Sequence, residues 1–390
     1  MTESLRESLR RSDPDRLVNA TATYVAERFP GCRMDVLLAD YRIAGLWPVL
    51  QADHVSAGLL ADISAATRAY ASQETVTEPG PDGTFRMLIP MCVWAERVGV
   101  LVAEMPAVPD RAIHDDLQQV ADDLTVAILA ADRATDRYRR ARRRRRLTMA
   151  AEMQWEMLPG RALGGPNFSL AGQLEPAYAV CGDHFDWSLN DDRLTITALN
   201  GDGNGLSATL LSVVAVNAMR NARRSGADLK EQAELASDAI FSIHGGQRHV
   251  ATLLVEIDLA DGSATVIDAG SPRLLRLRGN RVQRIQLDDQ LPLGMFADAR
   301  YAVQKFTLEP QDRLFILSDG VHAAAPGEQA AFGERALLTA VRATRLSPAT
   351  EAVAGVMREL DSYHDSHHLA DDAVTVCLDW LGPAGGGAHA

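Results

Sequence analysis

No apolar run in this chain approaches the ~20 residues that a membrane-spanning helix needs, so no segment reads as membrane-embedded. The first residues, MTESLRESLRRSDPD, are polar and charged and lack the apolar core of a secretory signal. Cysteine is scarce. The four present, Cys32, Cys92, Cys181 and Cys377, lie far apart without a C-x-x-C pair, which excludes a disulfide framework and a zinc site of the usual spacing. Walker A spacing is missing, as is any G-x-G-x-x-G run after a strand, so neither P-loop nor dinucleotide chemistry is indicated. A surplus of positive charge is missing too: the net charge is −13, wrong in sign for a general nucleic-acid binder. These absences describe a cytoplasmic protein without a membrane or nucleic-acid partner.

What the chain does have is a set of acidic turns placed after apolar strands. Val180 to Ala208 reads VCGDHFDWSLNDDRLTITALNGDGNGLSA, with a strand pattern over Arg193–Leu199. Gly182-Asp183 precedes that strand, and Asn200-Gly201-Asp202-Gly203-Asn204-Gly205 follows it. Glycine permits the tight turns that let carboxylates and carbonyls converge. Two further acidic turns come later: Asp319-Gly320 after Phe315–Ser318, and Asp371-Asp372 ahead of Ala373–Val376. Separated strand ends that each supply an Asp and no sulfur suit a hard cation, Mg²⁺ or Mn²⁺.

The 390 residues, 47% of them hydrophobic, are enough for two or three domains with ordinary cores. Residues 1–12 read as a charged helix or tail and 13–109 as a mixed α/β domain. Within the latter, Pro14–Arg28 and His54–Ser72 have helical spacing. Met34–Leu38, Tyr41–Leu50, Phe85–Val93 and Arg97–Ala103 have strand character, the last two joined by a tight turn around Ala95-Glu96. Residues 110–157 contain no Gly and repeat apolar residues at Leu117, Val120, Leu124 and Ile128, then at Leu147, Ala150, Met153 and Met157. This pattern predicts a long helical, coiled-coil linker and through it a homodimer. Its run Arg137–Arg146 holds eight arginines, interleaved with no aromatic except Tyr138, and fits a solvated or acid-docking face better than base recognition. Residues 158–382 predict one large domain: helices over Ser207–Ser225 and Asp228–His244, then strands joined by turns such as Asp261-Gly262 and Gly279-Asn280. Hairpins of that kind make antiparallel sheets, here flanked by helices. The cluster His364, Asp365, His367, His368 reads as solvated, and residues 383–390 as a flexible tail.

Several blocks, in order, carry a family signature: AAEMQWEMLPG from Ala150, CGDHFD, NGDGNGLSA, DAGSPRLLRL from Asp268, LPLG from Leu291, LSDGV, FGE from Phe332 and ADDAVTV. Over about residues 150 to 380 the sequence resembles the metal-dependent PPM (protein phosphatase 2C-like) serine/threonine phosphatases, and more closely their bacterial SpoIIE/RsbU-like branch. The N-terminal order of helices and strands, ending in RVGVLVAE, resembles a GAF-type sensory domain with an unidentified small ligand or signal. The resemblance implies an α+β chain: a GAF-like α/β domain, a helical linker, and an antiparallel β-sandwich flanked by helices. Family members hold two Mn²⁺ or Mg²⁺ ions on aspartates, and a metal-activated water attacks the phosphoester. By position, the metal residues here would be Asp183, Gly201 through its carbonyl, Asp319 and Asp371.

Three departures matter. Asn200 stands where the family has a metal-bridging Asp, with Asp202 a possible substitute ligand; Ser271 replaces a His and Ala323 a Glu. A neutral amide holds two dications together poorly, so one ion rather than two becomes an option. Two readings follow. One is a Mn²⁺- or Mg²⁺-dependent phosphatase acting on a phosphorylated regulator of the STAS anti-anti-sigma type under control of the sensory domain. The other is a pseudophosphatase that binds a regulatory partner without turnover.

Overall fold

A computed structural model of the chain describes residues 4–40, 45–49, 63–143, 148–177, 180–325, 331–333, 335–364 and 369–383. They form two compact units, Met1–Arg146 and Leu147–Ala390. The first contains α1 (Leu5–Arg11), α2 (Leu17–Arg28), β1 (Arg33–Ala39), β2 (Leu46–Pro48), α3 (Ile63–Ser72), β3 (Val76–Pro79), β4 (Phe85–Val93), β5 (Glu96–Met105), α4 (Arg111–Ala131) and α5 (Arg137–Arg142). Its strands make one antiparallel sheet in the order β2-β1-β5-β4-β3. Successive side chains of a strand point to opposite faces. Val36 and Leu38 therefore join Met87, Ile89 and Leu101 under α2 and α4, while Leu37 and Ala39 join Leu88 and Val100 under α3. With both faces covered, β1 is buried from Met34 to Ala39, Asp35 included, rather than on alternate residues.

Residues 110–157 differ from the expected single helix. The described residues there form α4, α5 and a separate α6 (Met149–Met157), with breaks after Ala131 and Arg142. The apolar stripe Leu117, Val120, Leu124, Ile128 is buried in the core of the first unit. A stripe already covered within one chain does not require a partner helix, so the observation behind a coiled-coil dimer is accounted for here. Tyr138 is also core: it is fully buried and its hydroxyl donates to the Pro14 carbonyl at 2.9 Å. The supposed tail is likewise packed, with Leu5 and Leu9 of α1 buried in the same cluster. Residues 54–62 of the second expected helix lie outside the described residues.

The second unit opens with α6 and continues β6 (Ala162–Gly164), β7 (Phe168–Glu175), β8 (His184–Asn190), β9 (Arg193–Gly201), α7 (Gly205–Arg224), α8 (Leu229–His244), β10 (Val250–Asp258), β11 (Ser263–Ala269), β12 (Arg273–Arg278), β13 (Arg281–Arg284), β14 (Gln304–Thr307), β15 (Arg313–Leu317), α9 (Asp319–His322), α10 (Ala336–Ala343), α11 (Ala349–Tyr363) and β16 (Ala373–Trp380). Two antiparallel sheets, β14-β11-β10-β9-β8 and β13-β12-β15-β16-β7-β6, form a sandwich. Its core is built from inward residues such as Phe185, Ile196, Val255 and Val266 of one sheet and Leu170, Leu274, Ile316 and Val376 of the other. The alternate residues Leu199, Leu254 and Ile267 face α7 and α8 instead. α8 begins with a reciprocal Asp228–Glu231 capping box and ends on Gly245 in a left-handed conformation. The helix-flanked sandwich anticipated from the hairpin turns is the one observed.

The β4–β5 hairpin turns through Trp94 and Ala95, both at positive φ (50° and 71°). Left-handed backbone costs an ordinary residue roughly 1–2 kcal/mol, and two-residue hairpin turns favour Gly there. Ala95→Gly is expected to stabilise the first unit by roughly 0.5–1 kcal/mol, the relief of strain exceeding the added chain entropy. Chemical denaturation of both proteins checks this, and a lower midpoint in the variant would contradict it.

Candidate metal centre

The four acidic turns come together at one end of the sandwich. Asp183 immediately precedes β8, Asn200 and Gly201 end β9, Asp319 opens α9 after β15, and Asp371-Asp372 precede β16. Close backbone packing holds the turns in place. A Cβ on Gly320 would lie 1.8 Å from the Asp372 carbonyl oxygen, and one on Gly201 would lie 2.5 Å from the Ser212 hydroxyl. Only glycine lets these strand ends approach so closely.

Asp372, which the sequence did not single out, is the anchor. It is fully buried, and its carboxylate accepts hydrogen bonds from the Ala177, Cys181, Gly182 and Asp183 amides (2.8, 2.8, 2.9 and 3.3 Å) and from Gln154 Nε2 at 2.7 Å. Gln154 lies on α6 and also donates to the Asp183 carbonyl at 3.0 Å. Burial raises the Asp372 pKa, and these donors hold it back. The only local signal for either residue was membership of a recognised block. Asp371 accepts from the Asp372 amide at 2.8 Å and lies against the Cys181 thiol, whose pKa rises to about 12 through burial and then through Asp371.

Asp183 is in the opposite condition. It is fully buried, and among the described residues neither carboxylate oxygen has a hydrogen-bond partner. Its pKa is pushed well above 3.8 by burial first, then by Asp371, Asp319 and Asp372; the nearby Ser318 hydroxyl offsets only part of this. The Asp371 pKa is raised as well, by burial and then by Asp319. A buried, unpartnered carboxylate among other carboxylates is a site that a cation stabilises, so the donor set fits a hard metal. Asp183, Asp319 and Asp371 are the residues that would hold it, beside the strand end that carries Gly201.

Asn200 enters this group as a hydrogen-bond donor: its Nδ2 lies 2.5 Å from Asp319 Oδ1. An amide thus engages an oxygen that a metal would use. Among the described residues, no three His, Cys, Asp or Glu side chains converge on one ligand position as they stand. Asp202 is turned away, its carboxylate 3.8 Å from Arg248 Nε and its carbonyl accepting from Arg248 Nη2 at 2.8 Å. Ser271 offers its carbonyl to His322 Nε2 at 3.1 Å, while its hydroxyl is buried without a partner. Ala323 is the C-cap of α9. His364 is buried rather than solvated, and 365–368 lie outside the described residues.

An antiparallel, helix-flanked sandwich with a carboxylate cluster at its end defines a PPM-type architecture. Residues 190–381, just under half of the chain, match the family model described as Stage II sporulation protein E (SpoIIE). Protein IcfG of Synechocystis sp. is 23% identical over 260 residues, a match covering 60% of this chain and 41% of that protein. The chain thus spans about two fifths of that relative's length. Among solved structures, the RsbU and RsbW domains of Rv1364c from Mycobacterium tuberculosis align with 18% identity and a TM-score of 0.49, over 56% of this chain and 63% of that one. The phosphatase domain and regulatory fragment of SpoIIE from Bacillus subtilis align with 20% identity and a TM-score of 0.48, over 55% and 64%. No helix among the described residues is long and apolar enough to cross a membrane.

Two outcomes are expected. Asp372→Ala strands several donors in a dry interior and should cost at least ~3 kcal/mol, with amide exchange accelerated over residues 177–183. A stability change under ~1 kcal/mol would be too small for the anchor described. The second outcome concerns pH. A carboxylate whose folded pKa is raised binds its proton more tightly in the folded state, so the folded state loses stability as pH rises above the unfolded value. The metal-free protein should therefore weaken progressively as pH rises above 3.8, the ordinary value for Asp183 and Asp371. Mn²⁺ should restore more stability at pH 8 than at pH 6 and release protons on binding. Thermal melts across pH, with calorimetry in two buffers of different ionisation enthalpy, measure both effects.

Proposed function

We propose that the C-terminal domain is a Mn²⁺- or Mg²⁺-dependent phosphoserine/phosphothreonine phosphatase whose second metal position is weakened by Asn200. The observation that carries this reading is Asp183, buried without a hydrogen-bond partner beside Asp319 and Asp371. When bound, the ions supply Lewis acidity and an activated water nucleophile. The protein's part is to hold the carboxylates: Asp372 fixes the backbone that presents Asp183, and Gly201 and Gly320 bring the strand ends close. At an effective dielectric of ~20, two dications ~4 Å apart repel by roughly 16 kcal/mol. A bridging carboxylate offsets much of that repulsion, and a neutral amide offsets little.

The substrate in this reading is a phosphorylated bacterial regulator of the STAS anti-anti-sigma type, in the cytoplasm. Support comes from the SpoIIE family match of the domain. The first unit, an antiparallel sheet with helices on both faces, suits a GAF-like sensory module. Gln154 of α6 gives regulation a physical route, because one side chain touches both Asp372 and the Asp183 carbonyl. A second reading, a pseudophosphatase that binds a phosphorylated partner, is favoured by the Asn200–Asp319 hydrogen bond.

Turnover of a generic phosphate ester with Mn²⁺ decides between them. Wild type is expected to bind one Mn²⁺ well and a second weakly, and Asn200→Asp to raise Mn²⁺-dependent activity at least tenfold. Equal activity in both would show that Asn200 does not limit the site. Inactivity in both, with Mn²⁺ bound, would leave the binding module as the function.

A further inference from the structure

Several arginines of the second unit face carboxylates. Arg220 and Arg223 share Asp186 at 2.7 and 3.1 Å, Arg278 holds Asp312 at 2.6 Å, and Arg313 holds Asp379 at 2.5 Å. Arg273 and Arg284 do not. Among the described residues neither side chain makes a hydrogen bond or an ion pair, and the charge that acts on Arg273 is Arg284 itself. The sheet forces them together. Arg284 pairs with Leu275, two residues along β12 from Arg273, so both side chains leave the same face. Arg273 in turn pairs with Leu317, the last residue of β15, two residues before Asp319.

His322, one turn after Asp319 on α9, feels both guanidinium groups. It is buried, its Nε2 is fixed on the Ser271 carbonyl, and its Nδ1 is unpartnered, as is the Ser271 hydroxyl. Burial, and then Arg273, lower its pKa to about 4, so at neutral pH it is an uncharged group with polar capacity to spare. Asp268 is the carboxylate that Arg284 influences; it is itself buried and accepts a hydrogen bond from the Gly270 amide at 3.2 Å.

Two like charges gathered on one face, one of them partly desolvated, destabilise the resting protein unless an anion joins them. Guanidinium groups match a phosphoryl group in shape as well as charge. We propose that Arg273 and Arg284, beside Ser271 and His322, form an oxyanion subsite that receives the phosphoryl group of a phosphoseryl or phosphothreonyl chain next to the carboxylate cluster. The phosphoryl identity of the anion rests on the phosphatase reading above; the existence of an anion subsite does not. His322 of α9 lies against the turn that carries Ser271, its Nε2 3.1 Å from that residue's carbonyl.

The test uses the full chain stripped of metal with EDTA, so that binding is read without turnover. Calorimetry with inorganic phosphate and with a phosphoserine peptide is run on wild type, on R273Q/R284Q and on R273K/R284K. Wild type is expected to bind both ligands. The Gln pair should lose at least tenfold in affinity and the Lys pair less, with the melting temperature of the Gln pair equal to or above that of wild type. Undiminished binding to the Gln pair, or no phosphate binding by wild type, would overturn the subsite. Binding of free phosphate without binding of the phosphopeptide would overturn its assignment to substrate. A protein that binds phosphopeptide through these arginines yet never turns over with Mn²⁺ would leave the subsite standing and remove the phosphatase reading.

Discussion

A carboxylate taken out of water must be given donors, a cation or a proton, and this domain distributes all of its end-of-sandwich chemistry according to that demand. Asp372 receives donors. Its hydrogen bonds reach the Ala177, Cys181, Gly182 and Asp183 amides and Gln154, so one side chain ties β16, the segment before β8 and α6 together. Asp183, on the backbone that Asp372 arranges, receives none. The difference between these two neighbours in space is the origin of the site: one pays for the architecture, and the other is left for a cation or a proton.

Asn200 sits between structure and chemistry. Its amide gives Asp319 a hydrogen bond that needs no metal. In the proposed metal site the same neutral amide lacks the negative charge that would hold a second ion near the first. In the proposed subsite the Arg273–Arg284 pair has the reverse balance, two like charges on one face that an incoming anion would join.

The two units of the chain use the same device for different ends. In each, alternating strand residues feed two apolar layers, one per face of the sheet. In the first unit this consumes the apolar stripe of α4, which local periodicity suggested for a partner helix. In the second it leaves the strand ends free of packing duties, and there the polar residues collect.

Much of this was legible locally. The period-two pattern and the Asp261-Gly262 and Gly279-Asn280 turns foretold β10 to β13 and their antiparallel pairing, because strand alternation and hairpin turns are properties of neighbouring residues. The acidic turns after apolar strands drew attention to Asp183, Asn200, Gly201, Asp319 and Asp371, and the family resemblance named their roles. What the tertiary structure alone decided are contacts between residues far apart in the chain. Asp372 reaches Cys181 across 191 positions and Gln154 across 218. Asn200 reaches Asp319 across 119, while Asp202, two residues on, turns to Arg248. Sequence spacing states which residues lie on turns; only the closing of two sheets into a sandwich determines which turns meet, which carboxylate finds donors there, and which is left without them.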